Sequence, residues 1–242
     1  MDRGADSTGP RRDTVVQHEL PRSARPYSGI ALQLYDLFVL RFTSPYAWGC
    51  HRKTISALYA EHCTTVHAEV GVGSGYFPSQ LGKTWDKLAL VDPNDATLAY
   101  AGARLGQGRL TGEQPRIAGY VADILVSDDL PPSRYKSVAA NYLIHCLPGP
   151  MPAKEPAVAN LARLTDAEGT LFGATVIGTA QHNRLGRILM WACNRTGAFG
   201  NTTDTEETLR DLLERHFSVV TVWRENAVAL FVASSPRHSK DS

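Results

Sequence analysis

Apolar segments with the spacing of β-strands alternate with segments of helical spacing from residue 64 onward. Five strands are predicted on this basis: "TVHAEVGV", "KLALVD", "PRIAGYVAD", "RYKSVAANYLIHCL" and "GTLFGATVIG". Helical segments such as "NDATLAYAGARLGQ" and "EPAVANLARLT" lie between them, and Asn94 is the predicted N-cap of the first of these. Such alternation predicts an α/β fold with a mainly parallel sheet and helices on both of its faces.

The C-terminal part of the chain predicts a helix followed by an antiparallel hairpin. "DTEETLRDLLERHF" has helical spacing, and Asp204 with Glu207 three residues later resembles a capping box. Two apolar runs follow, "SVVTVW" and "AVALFVA", separated only by "RENA". A parallel crossover needs about a dozen residues or more, so these runs are predicted to pair as a hairpin. Together with the five earlier strands they make a sheet of seven.

The chain divides into a leader, one domain and a tail. Residues 1–26 are polar and rich in proline and arginine, without the apolar core of a secretion signal, and are predicted to be a flexible leader. Residues 27–62 carry apolar positions at helical spacing and are predicted to form a helical cap. Residues 63–235 hold the alternating segments, so 27–235 is expected to be a single domain, followed by a tail at 236–242.

Composition excludes several classes of function. The formal net charge is +1, which gives no electrostatic reason to expect a nucleic-acid partner or an anionic membrane surface. No stretch of about 18 apolar residues is present that would span a bilayer. The 4 cysteines show no CxxC spacing, which favours reduced thiols in a cytoplasmic protein over disulfides or a zinc site. No metal site is predicted.

Three glycines follow the first predicted strand and require an explanation. Gly71, Gly73 and Gly75 form the pattern GxGxG directly behind "HAEV". A dinucleotide-binding fingerprint would be GxGxxG, and its third position is here the bulky Tyr76, which disfavours an NAD(P)-dependent oxidoreductase. A phosphate-binding P-loop is excluded because no GK[ST] follows. The turn therefore lets a ligand approach the backbone closely without presenting a pyrophosphate site.

At this point the sequence resembles the class I S-adenosylmethionine-dependent methyltransferases. Their first motif is an acid followed by GxGxG at the end of strand one, as in "EVGVGSG" with Glu69. Asp92 ends the second predicted strand, about 20 residues on, and Asp123 follows the third. Asn141 and His145 stand at the recurrent Asn and His positions of the fourth strand and its exit. The resemblance covers roughly residues 60–235 and implies a Rossmann-like seven-stranded sheet.

The resemblance implies S-adenosylmethionine as the cofactor and a role for each matching residue. Asp92 would accept from both ribose hydroxyls, which suits a carboxylate because it is an acceptor with two oxygens. Asp123, with Ile124 beside it, would contact the adenine, and Glu69 would lie near the methionine amino group. The complete implied set of cofactor-binding residues is Glu69, Gly71, Gly73, Gly75, Asp92, Pro93, Asp123, Ile124 and Asn141.

Candidate catalytic and substrate-contacting residues are fewer. His145 is the one candidate proton acceptor just past strand four, since a neutral imidazole accepts a proton near neutral pH. The alternative is that His145 only packs or caps a helix. Aromatic residues predicted to line the substrate pocket, with core packing as the alternative, are Tyr35, Trp48, Tyr142 and Trp191.

The favoured function is methyl transfer from S-adenosylmethionine to a small molecule, in secondary metabolism, with oxygen, nitrogen and carbon all open as the acceptor atom. The Asn-Pro-Pro-Tyr signature of enzymes that methylate amino groups of nucleic acids and proteins is absent, and "NYLI" stands in its place. The main alternative is a non-catalytic member of the fold that binds the cofactor. The oligomeric state is open, and a homodimer is compatible with the sequence.

Overall fold

The computed structural model describes residues 46–106, 117–126 and 128–237. Its strands are β1 (Val66–Val70), β2 (Lys87–Asp92), β3 (Ile117–Val121), β4 (Tyr135–Asn141), β5 (Thr165–Val176), β6 (Phe217–Glu225) and β7 (Val228–Pro236). Its α-helices are α1 (Arg52–His62), α2 (Tyr76–Ser79), α3 (Asp95–Leu105), α4 (Glu155–Leu164), α5 (Arg184–Thr196) and α6 (Glu206–His216). Two 3-10 turns, Ile144–Cys146 and Met151–Lys154, follow β4. The predicted leader and the first part of the predicted cap lie outside the described residues, so those divisions stay predictions.

All seven strands form one sheet in the order β3-β2-β1-β4-β5-β7-β6. Strands β1 to β5 run parallel, whereas β7 is antiparallel to both β5 and β6. The predicted mainly parallel α/β sheet with a C-terminal hairpin is therefore confirmed. The chain reverses its direction of travel across the sheet between β1 and β4, and ligands of such sheets bind outside the strand ends at this switch point.

The sheet is covered on both faces, and β1 shows how the sequence achieves this. Ala68 and Val70 pack into the core that contains Leu161 of α4 and Leu209 of α6. The alternate residues of β1, His67 and Glu69, point to the opposite face, which α1 covers. Because successive side chains of a strand alternate between faces, one five-residue strand serves two cores. A polar pair is thus buried on the α1 face.

One helix cap was predicted correctly and the other was not. Asn94 caps α3 as predicted, its side chain accepting from the Ala96 N–H at 3.0 Å. The predicted capping box of Asp204 and Glu207 at α6 is wrong, because Thr205 is the N-cap and exchanges hydrogen bonds with Thr208. Asp204 instead turns inward, since a buried ammonium requires a charged partner more strongly than a helix end does.

Candidate functional site

A tight turn at the end of β1 carries the three glycines. Gly71, Gly73 and Gly75 have φ values of 71°, 51° and 67°, a region that side-chain-bearing residues rarely adopt. A Cβ at Gly75 would lie 3.1 Å from the Ala101 Cβ of α3, so this glycine permits close packing of helix and turn. A Cβ at Gly73 would meet no atom within 4 Å, so the turn is open on that side. The backbone at Gly73 is accessible to a ligand.

The carboxyl of Asp92 lies at the end of β2 and faces this turn. Its Oδ1 accepts a hydrogen bond from the Asn94 N–H at 3.0 Å. Burial raises the pKa of Asp92 to about 6, although backbone hydrogen bonds from Asn94 and Gly73 act in the opposite direction. At neutral pH the side chain is therefore a charged acceptor held beside the open glycine.

A cleft of about 100 Å³ extends from the glycine turn towards β3. Gly71, Pro93, Asp123 and Ile124 line it, with apolar side chains from the segment after β4 closing the far side. Asp123 is fixed there because its Oδ1 accepts from the Leu125 N–H at 3.0 Å. The cleft thus combines apolar walls with one carboxyl, which suits a flat heterocycle bearing a hydrogen-bond donor.

Asn141 ends β4 on the other side of the glycine turn. Its side-chain nitrogen and oxygen are both buried, and neither has a hydrogen-bond partner among the described residues. Buried amides are normally paired, since an unpaired one costs about 1–3 kcal/mol. An unpaired amide at a strand end beside an accessible glycine therefore fits a polar ligand group.

The chain is similar over most of its length to curated methyltransferases. It is 33% identical to the methyltransferase verB of Penicillium polonicum, over 88% of this chain and 98% of that protein. It is 35% identical to the methyltransferase aurB of Calcarisporium arbuscula, over 88% and 96% respectively. It is also 31% identical to the demethylluteothin O-methyltransferase of Streptomyces thioluteus, over 85% and 87%. The chain belongs to the class I S-adenosylmethionine-dependent methyltransferases.

Solved structures agree with this membership at the level of the fold, and no protein-family model matches the chain. A complex of DhpI with S-adenosylhomocysteine superimposes with a TM-score of 0.59 at 13% identity, covering 89% of this chain and 97% of that one. The N-methyltransferase NodS from Bradyrhizobium japonicum WM9, also with S-adenosylhomocysteine, gives a TM-score of 0.55 at 15% identity, covering 77% and 86%.

The residues of this methyltransferase fit its cofactor at three separate points. The open face of Gly73 leaves space against the backbone, and Asp92 presents an acceptor beside it. The cleft at Asp123 is apolar with a single carboxyl, and Asn141 holds an unpaired amide. These points lie at the ends of β1, β2 and β4 and after β3, on the edge of the sheet where ligands of such folds bind.

Glu69 is buried and paired, and is not an exposed carboxylate free to bind a cation. It is only 3% exposed, and both of its carboxylate oxygens already have partners. Oε1 accepts from the Tyr59 hydroxyl at 2.5 Å, and Oε2 lies 3.1 Å from Nε2 of His67. The predicted contact of Glu69 with the amino group of the cofactor stays a prediction.

His145 lies just past β4, as predicted, but its ring is buried in a defined orientation. It is 3% exposed, and its Nδ1 accepts from the Val176 N–H at 3.3 Å. A neutral ring with this bond carries its hydrogen on Nε2, so that side is a donor. Burial, aided by the charge of Lys154, lowers the pKa of His145 to about 3. This geometry favours a neutral donor, and the role of general base stays a prediction.

Aromatic rings form a row beyond β4 and β5. The His145 ring contacts Phe199 edge-on at 4.5 Å and Tyr142 at 6.0 Å, measured between centroids. Trp48 lies 6.2 Å from Phe199 and 5.6 Å from His182. The structure therefore brings Trp48, Tyr142 and His145 together, as members of one set of rings. Phe199 and His182 were missed in the sequence because they lie in loops without any motif.

Two predicted pocket residues are not part of this row. Trp191 is 66% exposed on α5, where it lies under the Arg195 guanidinium at 5.8 Å and beside Arg187 and Ile188. Tyr35 lies outside the described residues.

Cys146, next to His145, lines the cleft, but burial raises the pKa of its thiol to about 12 and thereby keeps it protonated and inert.

The described part of the chain shows neither a metal site nor a membrane-spanning helix. No group of three or more His, Cys, Asp and Glu side chains there is arranged to hold a metal ion. No helix within 46–106, 117–126 or 128–237 combines the length and apolar character needed to cross a lipid bilayer.

Proposed function

We propose that this methyltransferase transfers a methyl group to a hydroxyl oxygen of a small, largely apolar molecule of secondary metabolism. The observation that carries the proposal is the row of Tyr142, His145, Phe199 and Trp48, which begins directly after Asn141. Aromatic walls suit a flat apolar acceptor better than a charged polymer. The name of the relative from Streptomyces thioluteus, an O-methyltransferase of demethylluteothin, supports oxygen as the acceptor atom.

We further propose how the chain holds S-adenosylmethionine. Asp92 accepts from the ribose hydroxyls, while Asp123, Ile124 and Pro93 contact the adenine. The backbone of Gly71 and Gly73 and the Asn141 amide contact the amino-acid end, and Gly75 keeps α3 close to the turn. This assignment is supported by the pKa of Asp92, which leaves an anionic acceptor at neutral pH, and by the unpaired amide of Asn141.

The chemistry needs few groups from the protein. When bound, the cofactor supplies a methyl group activated on a sulfonium, so the chain contributes position and an environment without water. Holding two reactants in line contributes on the order of 7–11 kcal/mol to lowering the barrier. The buried rings of His145 and Trp48 exclude water from one side. The Nε2–H of His145 orients an acceptor oxygen that has lost its hydroxyl proton to solvent before binding. We also propose a cytoplasmic location, which the free cysteines of the described residues support.

An acceptor screen tests this function. The protein is incubated with S-adenosylmethionine carrying a labelled methyl group and with matched compounds that differ only in a hydroxyl, an amine or an activated carbon. We expect label in the hydroxyl compound of an aromatic or conjugated pair, located on oxygen by mass spectrometry. Label on nitrogen or carbon alone would contradict the oxygen assignment. Binding of S-adenosylhomocysteine without transfer to any acceptor would favour the non-catalytic alternative.

The variant His145→Ala should lower turnover about tenfold or more while changing the affinity for S-adenosylhomocysteine less than twofold. The reason is that His145 lies in the row of rings and not in the cleft at Asp123. If the His145 ring acts as a neutral donor, the ratio of parent turnover to His145→Ala turnover stays constant from about pH 5 to 9, because the pKa of the ring is about 3. A ratio that rises with pH through about 6.5 and then levels off would instead identify a general base, and equal turnover would remove His145 from the reaction.

A further inference from the structure

The Glu69 carboxylate is the end point of a buried chain of hydrogen bonds that starts on β4. His67 and Glu69 are two residues apart on β1 and therefore share its α1 face. His67 is fully buried and pairs in register with Ser137 of β4, its Nδ1 lying 2.8 Å from the Ser137 Oγ. Its Nε2 lies 3.1 Å from the Glu69 carboxylate. The imidazole thus bridges a hydroxyl and a carboxylate.

Counting hydrogens assigns the protonation of this bridge. The Thr64 hydroxyl donates to the Val66 carbonyl at 3.0 Å, so its oxygen can only accept from the Ser137 hydroxyl, 3.0 Å away. Ser137 Oγ also accepts from the Thr64 N–H at 2.9 Å. Having donated its single hydrogen to Thr64, Ser137 can only accept from His67, so Nδ1 carries a hydrogen. No other placement of the hydroxyl hydrogens allows the hydrogen bonds of Thr64, Ser137 and His67 to form at the same time.

A second hydrogen is required on the other side of the ring. Nε2 of His67 faces a carboxylate oxygen, and two acceptors at 3.1 Å would repel each other. With Nδ1 already protonated, one hydrogen between Nε2 and Glu69 makes the pair neutral overall, and we infer that this hydrogen lies on the ring, as an imidazolium, and not on the carboxyl. Burial lowers the pKa of His67, but the neighbouring Cys63 and Glu69 outweigh this and raise it to about 9. A buried carboxylate is tolerated when it is paired in this way.

Tyr59 of α1 holds the second oxygen of the same carboxylate. Its hydroxyl donates to Glu69 at 2.5 Å, and its ring stacks on Phe77 at 5.4 Å and meets Phe172 edge-on at 5.1 Å. Burial raises the pKa of Tyr59 well above its usual range, as does Glu69, while Asn141 beside it lowers that pKa. The hydroxyl therefore remains a donor, and the Asn141 amide lies close enough to influence it.

We propose that Tyr59, His67 and Ser137 are positioning residues that hold Glu69, as a charge-balanced pair with an imidazolium, against the glycine turn. They set the orientation of the turn and of Asn141, and hence the place of the amino-acid end of the cofactor. This step rests on the proposed cofactor-binding assignment. On this proposal Glu69 is not a free negative charge opposite the cofactor amino group. Its charge is balanced by His67, and it helps to orient the glycine turn.

Nuclear magnetic resonance of the full-length protein tests the protonation without reference to activity. We expect the nitrogen shifts of the His67 ring at neutral pH to be those of an imidazolium, with hydrogens on both nitrogens, the signals being assigned with His67→Gln. A neutral ring, with either nitrogen unprotonated, would overturn the inference. This measurement decides the matter even if the parent protein binds no S-adenosylhomocysteine, a result that would refute the proposed function alone.

Calorimetry with S-adenosylhomocysteine tests the positioning. Tyr59→Phe keeps the stacked ring and removes one donor to a carboxylate, so we expect roughly tenfold weaker binding, with a higher KM for the cofactor and an unchanged kcat. Ser137→Ala, which removes the acceptor of His67 Nδ1, should act in the same direction. The matched control is Tyr135→Phe, a change of a buried tyrosine at the opposite end of β4, expected to alter affinity less than twofold. Equal affinities of Tyr59→Phe and Tyr135→Phe would show that the hydroxyl serves the fold only and would overturn the proposal.

Discussion

Replacing Asp92 with alanine should weaken the binding of S-adenosylhomocysteine by about a hundredfold or more while leaving the fold intact. Two hydrogen bonds from ribose hydroxyls to a charged acceptor are lost, each worth about 1.5–3 kcal/mol, and about 1.4 kcal/mol corresponds to a factor of ten in affinity. Calorimetry of purified parent and variant measures the change. The matched control is Asp95→Ala, which removes an exposed acid from the first turn of α3 and should bind like the parent. Unchanged affinity in Asp92→Ala would refute the ribose assignment.

The pH dependence of the affinity for S-adenosylhomocysteine tests the same role of Asp92. Because the pKa of Asp92 in the folded protein is about 6, its carboxyl gains a proton as the pH falls through this value. Affinity of the parent should therefore decline below about pH 6, and this decline should be missing in Asp92→Ala.

The contribution of Asp92 to folding stability should fall as the pH rises, whereas its contribution to cofactor affinity should increase. The folded-state pKa of about 6 lies above the unfolded value of about 3.9. The contribution of Asp92 to stability is therefore largest below the unfolded pKa and is lost as the pH rises through the folded one. At pH 7 the parent holds a partly desolvated carboxylate, so Asp92→Ala should unfold at no lower a temperature than the parent. A marked drop in the melting temperature would contradict this account.

Replacing Asp204 with alanine should destabilise the protein by about 3–5 kcal/mol. Lys154 and Asp204 are fully buried, with Nζ and Oδ2 2.5 Å apart, and the variant leaves a buried ammonium without its partner. Burial already lowers the pKa of Lys154 and raises that of Asp204, which shows how strongly each charge depends on the other. The melting temperature, followed by circular dichroism, should fall by roughly 10 °C.

Two further variants separate the buried pair from ion pairs in general. The double variant Lys154→Met with Asp204→Ala removes both charges and should recover most of the lost stability, because a buried pair gains little over apolar packing. Glu155→Ala breaks the exposed pair with Arg215, whose side chains are 43% and 54% exposed, and should cost less than about 1 kcal/mol. If Asp204→Ala and Glu155→Ala were equally mild, the Lys154–Asp204 pair would not stabilise this fold.

Much of the fold was predictable because it follows from local patterns. The strand β1 and its glycine turn were read from a short apolar run and three glycines, and both lie where expected. Asn94 was recognisable as a cap because capping is a contact between near neighbours in sequence. Asp204 was misassigned for the same reason, since its actual partner Lys154 lies 50 residues away. A local rule has no means of detecting such a competitor.

The residues of the candidate site also fall into those that local sequence patterns predict and those that they do not. Gly71, Gly73, Gly75, Asp92 and Asp123 were predicted from the motifs that resemble the methyltransferase family. The structure brings them to one edge of the sheet, because the residues after parallel strands meet there. His67 carried a usable signal, since two positions apart in a strand means the same face as Glu69. Tyr59, Ser137 and Phe199 carried none, because they reach the site from a helix, a neighbouring strand and a loop.

The sequence by itself determined the parallel α/β sheet, its C-terminal hairpin and the set of strand-end residues predicted to bind the cofactor. These features follow from periodicity, turn chemistry and chain order, which are properties of neighbouring residues. Only the tertiary structure decided that Glu69 is paired with an imidazole, that His145 presents a donor and that Trp191 faces outward. Protonation, orientation and exposure depend on which distant groups approach within hydrogen-bonding distance, and that is settled when the two faces of the sheet are covered.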